Sequence, residues 1–268
     1  MTMRNSLLTV LGSVMLLGAA LPAHSESVLR IGLGADPDML DPHLARTYYG
    51  RFVFASLCDR LVDVDEHLKV VPGLAKSWAW SEDGKTLTMD LREGVTFHDG
   101  EKFDAAAAKY NLDRALTLKG SLRKSEISSV ESVEVTGPMQ IALHLKTPDA
   151  ALLMQLTDRA GAMMAPEAAK KPDFAAHPVC SGPYKFDSRV SQDRIVLTRF
   201  DNYWNKDAYH FDKIIYLPIP DASVRLANLR AGDLDLTEGI AASDVKTVEA
   251  DSKLALAKVR SEERRVGK

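Results

Sequence analysis

Residues 61–104 read LVDVDEHLKVVPGLAKSWAWSEDGKTLTMDLREGVTFHDGEKFD. Short apolar runs alternate here with turn residues, which is the pattern of successive hairpins. Glu82–Asp83–Gly84 is a tight turn, and the following TLTMDL at 86–91 alternates strictly with period two, as a half-buried strand does. Trp78 and Trp80 lie two apart, on one face of a strand, and are expected to pack in the core. Asp104 closes the stretch and can cap a helix over 105–118. Within that helix Ala106, Tyr110, Leu112 and Leu116 keep near-helical spacing better than Ala107, Tyr110, Asn111 and Arg114 do, so the first set is expected to face inward.

Working outward, VLRIGLG at 28–34 alternates and predicts the first strand. Pro37 and Pro42 then break it, because each pushes its preceding residue away from the helical region. A helix is predicted over 49–60, with Thr47 as N-cap, since its hydroxyl can accept a free backbone N–H. Downstream, 130–135 and 139–145 form a hairpin about Gly137–Pro138. Asp149 opens a helix over 150–156 and Pro166 a short one. A second hairpin pairs 182–190 with 194–200, and a strand follows at 213–219. Asp221 caps a helix over 222–231 that stops at Gly232, as a C-terminal glycine should. A short strand at 233–236 ends the pattern. The result is a mixed α/β protein with no internal repeat and no low-complexity segment.

The first 25 residues hold one basic side chain, Arg4, then an uncharged apolar run over 7–21 and the small residues Ala23 and Ser25. That is the layout of a cleaved secretory signal peptide, and the run is short of the ~20 residues that cross a bilayer. Beyond it, 33 basic residues stand against 37 acidic ones. A mildly acidic, mixed surface carries no electrostatic footprint for nucleic acid. Two cysteines occur, Cys58 and Cys180. An exported chain matures in an oxidising compartment, which favours a disulfide between them over two buried thiols.

Few residues carry a signal for chemistry. GLGADP at 32–37 begins like a dinucleotide loop but has Pro37 where the third glycine belongs. No nucleophile elbow and no phosphate-cradling loop is present. The seven histidines show no pairing at metal-ligand spacing, and no Cys-x-x-Cys occurs. No metal and no cofactor is expected. His98 sits in a hairpin turn, where a structural role outweighs one as a base, and Tyr184 reads as structural too.

Four separated pieces occur in one order: PGLAKSW at 72–78, SEDGKT at 81–86 with LREG at 91–94, FHDG at 97–100 with Phe103, and SGPYKF at 181–186. Together they resemble the extracellular solute-binding proteins of family 5, which serve ABC importers of peptides, nickel and related solutes. The resemblance implies a large two-lobed fold of the periplasmic binding-protein type, of which this chain holds the first lobe and its β-rich subdomain. Residues 28–50 and 178–238 would share one lobe, 51–177 would be an insert, and 240–260 would begin a second lobe. Relatives run to about twice this length, and the tail SEERRVGK at 261–268 has no counterpart in them, so a C-terminally truncated sequence is expected. The implied function is binding, not catalysis: a monomeric periplasmic receptor takes a di- or oligopeptide-like solute and hands it to a membrane permease. A hydrolase with an unrecognised cleft and a sensor or chaperone of the same fold are the rival classes. In the family the loop after the first strand faces the cleft, which makes Thr47, Tyr48 and Tyr49 ligand candidates. Arg159 is a fourth, because a guanidinium there can pair with a carboxylate in two-pronged fashion; the plainer reading is a structural salt bridge.

Overall fold

The computed structural model describes residues 26–257. The expected signal peptide at 1–25 and the tail at 261–268 lie outside the described residues. The strands are β1 (Val28–Leu33), β2 (Val62–Val64), β3 (Val70–Pro72), β4 (Ala75–Trp80), β5 (Thr86–Leu91), β6 (Val130–Gly137), β7 (Gln140–Leu145), β8 (Tyr184–Val190), β9 (Arg194–Arg199), β10 (Lys213–Pro218) and β11 (Leu236–Thr237). The helices are α1 (Gly50–Leu57), α2 (Ala105–Thr117), α3 (Leu152–Gln155), α4 (Pro166–Ala169), α5 (Ala222–Ala231) and α6 (Val245–Glu249).

A five-stranded sheet has the order β11-β1-β10-β9-β8. Strand β1 runs parallel to both β10 and β11, whereas β10, β9 and β8 pair antiparallel. The β8–β9 hairpin turns at Gln192, whose φ of 62° is left-handed. Helix α5 forms as its caps dictate: Asp221 accepts hydrogen bonds from the N–H groups of Ser223 and Val224, and Gly232 ends it at φ 82°. All chain between β1 and β8 is a long excursion from this sheet.

The excursion builds a second sheet of order β4-β5-β7-β6 and the small β2–β3 ribbon. The period-two strand β5 buries Leu87, Met89 and Leu91 completely. Asp104 caps α2 by accepting the Ala107 N–H at 2.9 Å. The buried stripe of α2 matches the expected one in part: Leu112 is buried and Tyr110 and Leu116 pack partly buried on the core. Ala105, Ala107, Ala108, Asn111, Leu112 and Ala115 face inward and Ala106 is exposed. The polar members of that stripe are fully partnered. Asn111 bonds the carbonyl and N–H of Met164 at 2.8 and 3.0 Å. Arg114 reaches Asp41 at 2.6 Å, both side chains under 10% exposed, and donates to His43 Nδ1 at 3.0 Å. The tryptophan expectation holds for Trp78, which packs on the core, but Trp80 is 36% exposed. Its strand β4 is a sheet edge, and Trp80 is the last residue of it.

Helix α1 packs on the five-stranded sheet: Tyr216 Oη donates to the Phe52 carbonyl at 2.9 Å and shares a hydrogen bond with Ser56 at 2.8 Å. Thr47 does not cap it. The helix begins at Gly50 with no side-chain cap, and the Thr47 hydroxyl donates instead to Asp38 at 3.0 Å. At the other end α1 stops at Leu57, three residues before the expected limit, because several ties gather there. Cys58 is disulfide-bonded to Cys180, with Cα atoms 4.8 Å apart. Closing a loop over a separation of 122 residues restricts the unfolded chain by about 5 kcal/mol in the chain-entropy model. The Gly182 N–H donates to the Leu57 carbonyl at 3.0 Å, and any Cβ at 182 would lie 2.6 Å from the Leu57 carbonyl carbon. His98 straddles the same turn. Its Nδ1 accepts the Cys180 N–H at 3.3 Å, which leaves Nε2–H to donate to the Gly182 carbonyl at 3.0 Å. Asp59, next to the disulfide, accepts from Tyr203 Oη at 2.9 Å and Trp204 Nε1 at 2.8 Å.

Candidate functional site

The joint just described forms one wall of a cavity of about 310 Å³, lined by Tyr48, Arg51, Phe52, Cys58, Asp158 and Arg159 among others. Helix α1 supplies Arg51 and Phe52 from its first turn and Cys58 from its C-cap. The facing wall is the tight turn at 157–162. Gly161 makes that turn possible, because a Cβ there would sit 1.9 Å from the Leu156 carbonyl oxygen.

Arg159 lines the cavity and is 5% exposed; Arg123, which does not line it, is 3% exposed and lies near enough to repel Arg159. Arg159 Nη1 donates to the carbonyls of Ala45 and Thr47 at 2.8 and 3.3 Å. Its Nε has no hydrogen-bond partner and faces the Asp158 carboxylate at 3.7 Å. Arg123 Nη1 pairs with Glu126, and its Nε also has no partner. Burial, with repulsion from Arg123, lowers the Arg159 pKa. Burial raises that of Glu126 against the pull of Arg123. Nearer the mouth, Arg51 bonds Asp158 at 2.6 Å and Arg60 pairs with Asp63. Burial alone would raise the Asp158 pKa, but the Arg51 hydrogen bond and charge overcome it and hold the carboxyl below its usual range. A buried guanidinium without a full set of acceptors is unfavourable in itself.

The structure separates the four ligand candidates. Tyr48 and Arg159 line the cavity, and Tyr48 is 52% exposed with its ring edge-on to Phe52 at 5.2 Å. Tyr49 turns instead onto the loop after β1, where its hydroxyl would be 2.6 Å from a Cβ on Gly34. Thr47 spends its hydroxyl on Asp38 and offers its carbonyl to Arg159. Arg159 is held by the backbone carbonyls of Ala45 and Thr47, ion-pairs with Asp158 at 3.7 Å, and borders the cavity. Sequence reasoning missed Arg51, Arg60 and Arg123. Arg51 lies two residues beyond Tyr49 and was within reach of the same positional argument. Arg123 sits in a loop with no motif. A wider, more open hollow lies by Asp38, Met39, His177, Phe186 and Arg189, but Arg189 is already engaged by Asp36 at 2.9 Å. Among the described residues no group of three or more His, Cys, Asp or Glu side chains is placed to hold a metal ion.

Residues 69–266 match the family described as bacterial extracellular solute-binding proteins, family 5 Middle. The chain is 34% identical over 218 residues to the glutathione-binding protein GsiB of Salmonella paratyphi A, covering 80% of this chain and 43% of the relative. It superposes with a TM-score of 0.74 and 27% identity on the ABC transporter-associated periplasmic binding protein DppA of Helicobacter pylori in complex with the peptide STSA, covering 84% of this chain and 49% of that one. The nickel ABC transporter of Bacillus halodurans gives a TM-score of 0.74 at 29% identity, covering 85% and 46%. The chain therefore spans about half the length of the relatives it matches. On the residues matched, it belongs to the bacterial extracellular solute-binding proteins of family 5.

Proposed function

We propose that this chain is part of the substrate-binding component of an ABC importer, that it works in the periplasm after loss of residues 1–25, and that its solute is peptide-like with a free carboxylate, of the glutathione kind. It carries out no reaction on that solute and passes it to a membrane permease through transient contact. The observation that carries this reading is the buried Arg159, whose Nε has no hydrogen-bond partner, bordering a cavity walled by Tyr48 and Phe52, with the charge of the buried Arg123 close behind it. Arginine matches a carboxylate in planar, two-pronged fashion. The aromatic wall gives apolar contact with little loss of side-chain freedom. The named ligands of the GsiB and DppA relatives, glutathione and the peptide STSA, both carry carboxylates.

The domain division proposed with it places 28–50 and 178–238 in one lobe, to which α1 is joined through Tyr216 and the disulfide. Residues 51–177 are the inserted subdomain, with α1 at its start. The test is calorimetric titration of the purified chain with glutathione, small peptides and their C-terminal amides, followed by mass spectrometry of the recovered ligand. Saturable binding of acids over amides, an intact ligand and at least a tenfold weakening in Arg159→Met, about 1.4 kcal/mol, are expected. Cleaved ligand would favour a hydrolase. Equal affinity for acid and amide would refute the carboxylate reading.

A further inference from the structure

One peptide unit near the cavity is gripped from both ends. The Ala45 carbonyl accepts from Arg159 Nη1 at 2.8 Å. The N–H of the same unit, on Arg46, donates to Asp38 Oδ2 at 3.0 Å. At Thr47 the same two groups hold the neighbouring units: the Thr47 carbonyl accepts from Arg159 at 3.3 Å, and the Thr47 N–H and hydroxyl donate to Asp38 Oδ1 at 3.3 and 3.0 Å. In a trans peptide the N–H and C=O point in opposite directions. A carboxylate thus sits at the positive end of the peptide dipole and a guanidinium at its negative end. Each strengthens the other's hydrogen bonds by polarising the group between them.

We propose that Asp38 is a positioning residue for the binding site: it fixes the 45–47 loop, and through that loop the direction in which the Arg159 guanidinium presents its free edge to the cavity. The inference rests on the reading of Arg159 as the carboxylate-binding group. The other contact described for that guanidinium is a longer one, an ion pair from its Nε to Asp158 at 3.7 Å. Asp38 itself is exposed, so its substitution leaves the core untouched. The hydrogen bonds from Arg46 and Thr47 overcome its partial burial and hold its carboxyl below the usual range, so it is ionised at neutral pH.

The side-chain Nε–H of Arg159, observed by ¹⁵N NMR in the full chain without ligand, tests the proposal. Asp38→Ala is expected to raise the exchange rate of that proton roughly tenfold and to shift its signal. Asp38→Asn keeps an acceptor for the loop N–H groups and is expected to restore most of the protection. Asp38→Ser, which leaves one short acceptor, should fall between them and serves if the alanine variant does not fold. The indole signal of Trp204, distant in the chain, should stay unchanged throughout. An Arg159 signal that is the same in Asp38→Ala and Asp38→Ser as in the parent overturns the proposal, as does equal loss in Asp38→Asn and Asp38→Ala. Glutathione added afterwards tests the carboxylate reading separately, because a chain whose Arg159 responds to Asp38 but not to glutathione keeps the first inference and loses the second.

Discussion

Asp59 and His98 brace the same joint from opposite sides, and their titrations oppose each other. Burial raises the Asp59 carboxyl from 3.8 to about 6, against the hydrogen bonds from Trp204 and Tyr203. Burial lowers the His98 imidazole from 6.5 to about 4, against the pull of the Gly182 carbonyl. For Asp59 the unfolded chain loses its proton first. Its contribution is complete below pH 3.8 and is lost as pH rises through 6. For His98 the unfolded chain gains its proton first. Its contribution is complete above pH 6.5 and is lost as pH falls through 4. At 1.36 kcal/mol per unit, each amounts to about 3 kcal/mol at most. Between pH 4 and 6 the slopes have equal size and opposite sign, so the parent shows almost no net dependence from this pair. Asp59→Asn removes one side of the balance. The amide can still accept one hydrogen bond, and the Tyr203 hydroxyl can turn to accept the other. The stability of Asp59→Asn relative to the parent should therefore rise by about 3 kcal/mol from pH 4 to pH 7. Urea titration followed by tryptophan fluorescence at half-unit steps of pH measures it. A difference between variant and parent that does not change with pH would refute the reasoning, because it would mean that Asp59 titrates alike in the folded and unfolded chain.

Further outcomes follow from the same contacts. Replacing Cys58 and Cys180 together by alanine should lower unfolding free energy by roughly 3–5 kcal/mol, and the denatured, unreduced parent should take up no iodoacetamide. Arg114→Met leaves the Asp41 carboxylate buried without its partner and should cost about 3–5 kcal/mol, seen as a lower midpoint in urea. Gly161→Ala drives a Cβ to 1.9 Å from the Leu156 carbonyl oxygen, so the 157–162 turn must shift. A loss of at least about 2 kcal/mol and of glutathione binding together is expected, whereas Gly94→Ala, with nothing near its Cβ, should cost only its backbone strain of about 1 kcal/mol.

The strands were legible because their signals are local. Alternation over 86–91 and the glycines of the turns do not depend on distant chain, and the caps Asp104 and Asp221 act within three residues. The stripe of α2 was legible only in part, because a reader of hydropathy rejects Asn111 and Arg114 as core residues. Their partners, Met164 and Asp41, lie 53 and 73 positions away. Thr47 failed as a cap for the same reason: Asp38, on the loop after β1, competes for its hydroxyl. At the site, position in the fold pointed to Tyr48 and Arg159. Arg123 was invisible, since only folding brings its charge beside Arg159.

The order in which the five-stranded sheet is made has its own consequence. Its strand β1, held between β11 and β10, leaves the ribosome early, yet the contact between Ser27 and Asp212 beside it spans 185 residues. Strand β1 has no partner until β10 has been synthesised, and the intervening excursion must collapse before the two meet. Such late pairing slows folding, since a long loop must be closed before any contact repays it. A chain that is slow to commit stays threadable, which is the condition a translocation pore requires of its cargo. Changes that strengthen β8, β9 and β10 among themselves would leave that delay intact, whereas a circular permutant opened before β8, in which β1 follows β11, would shorten it.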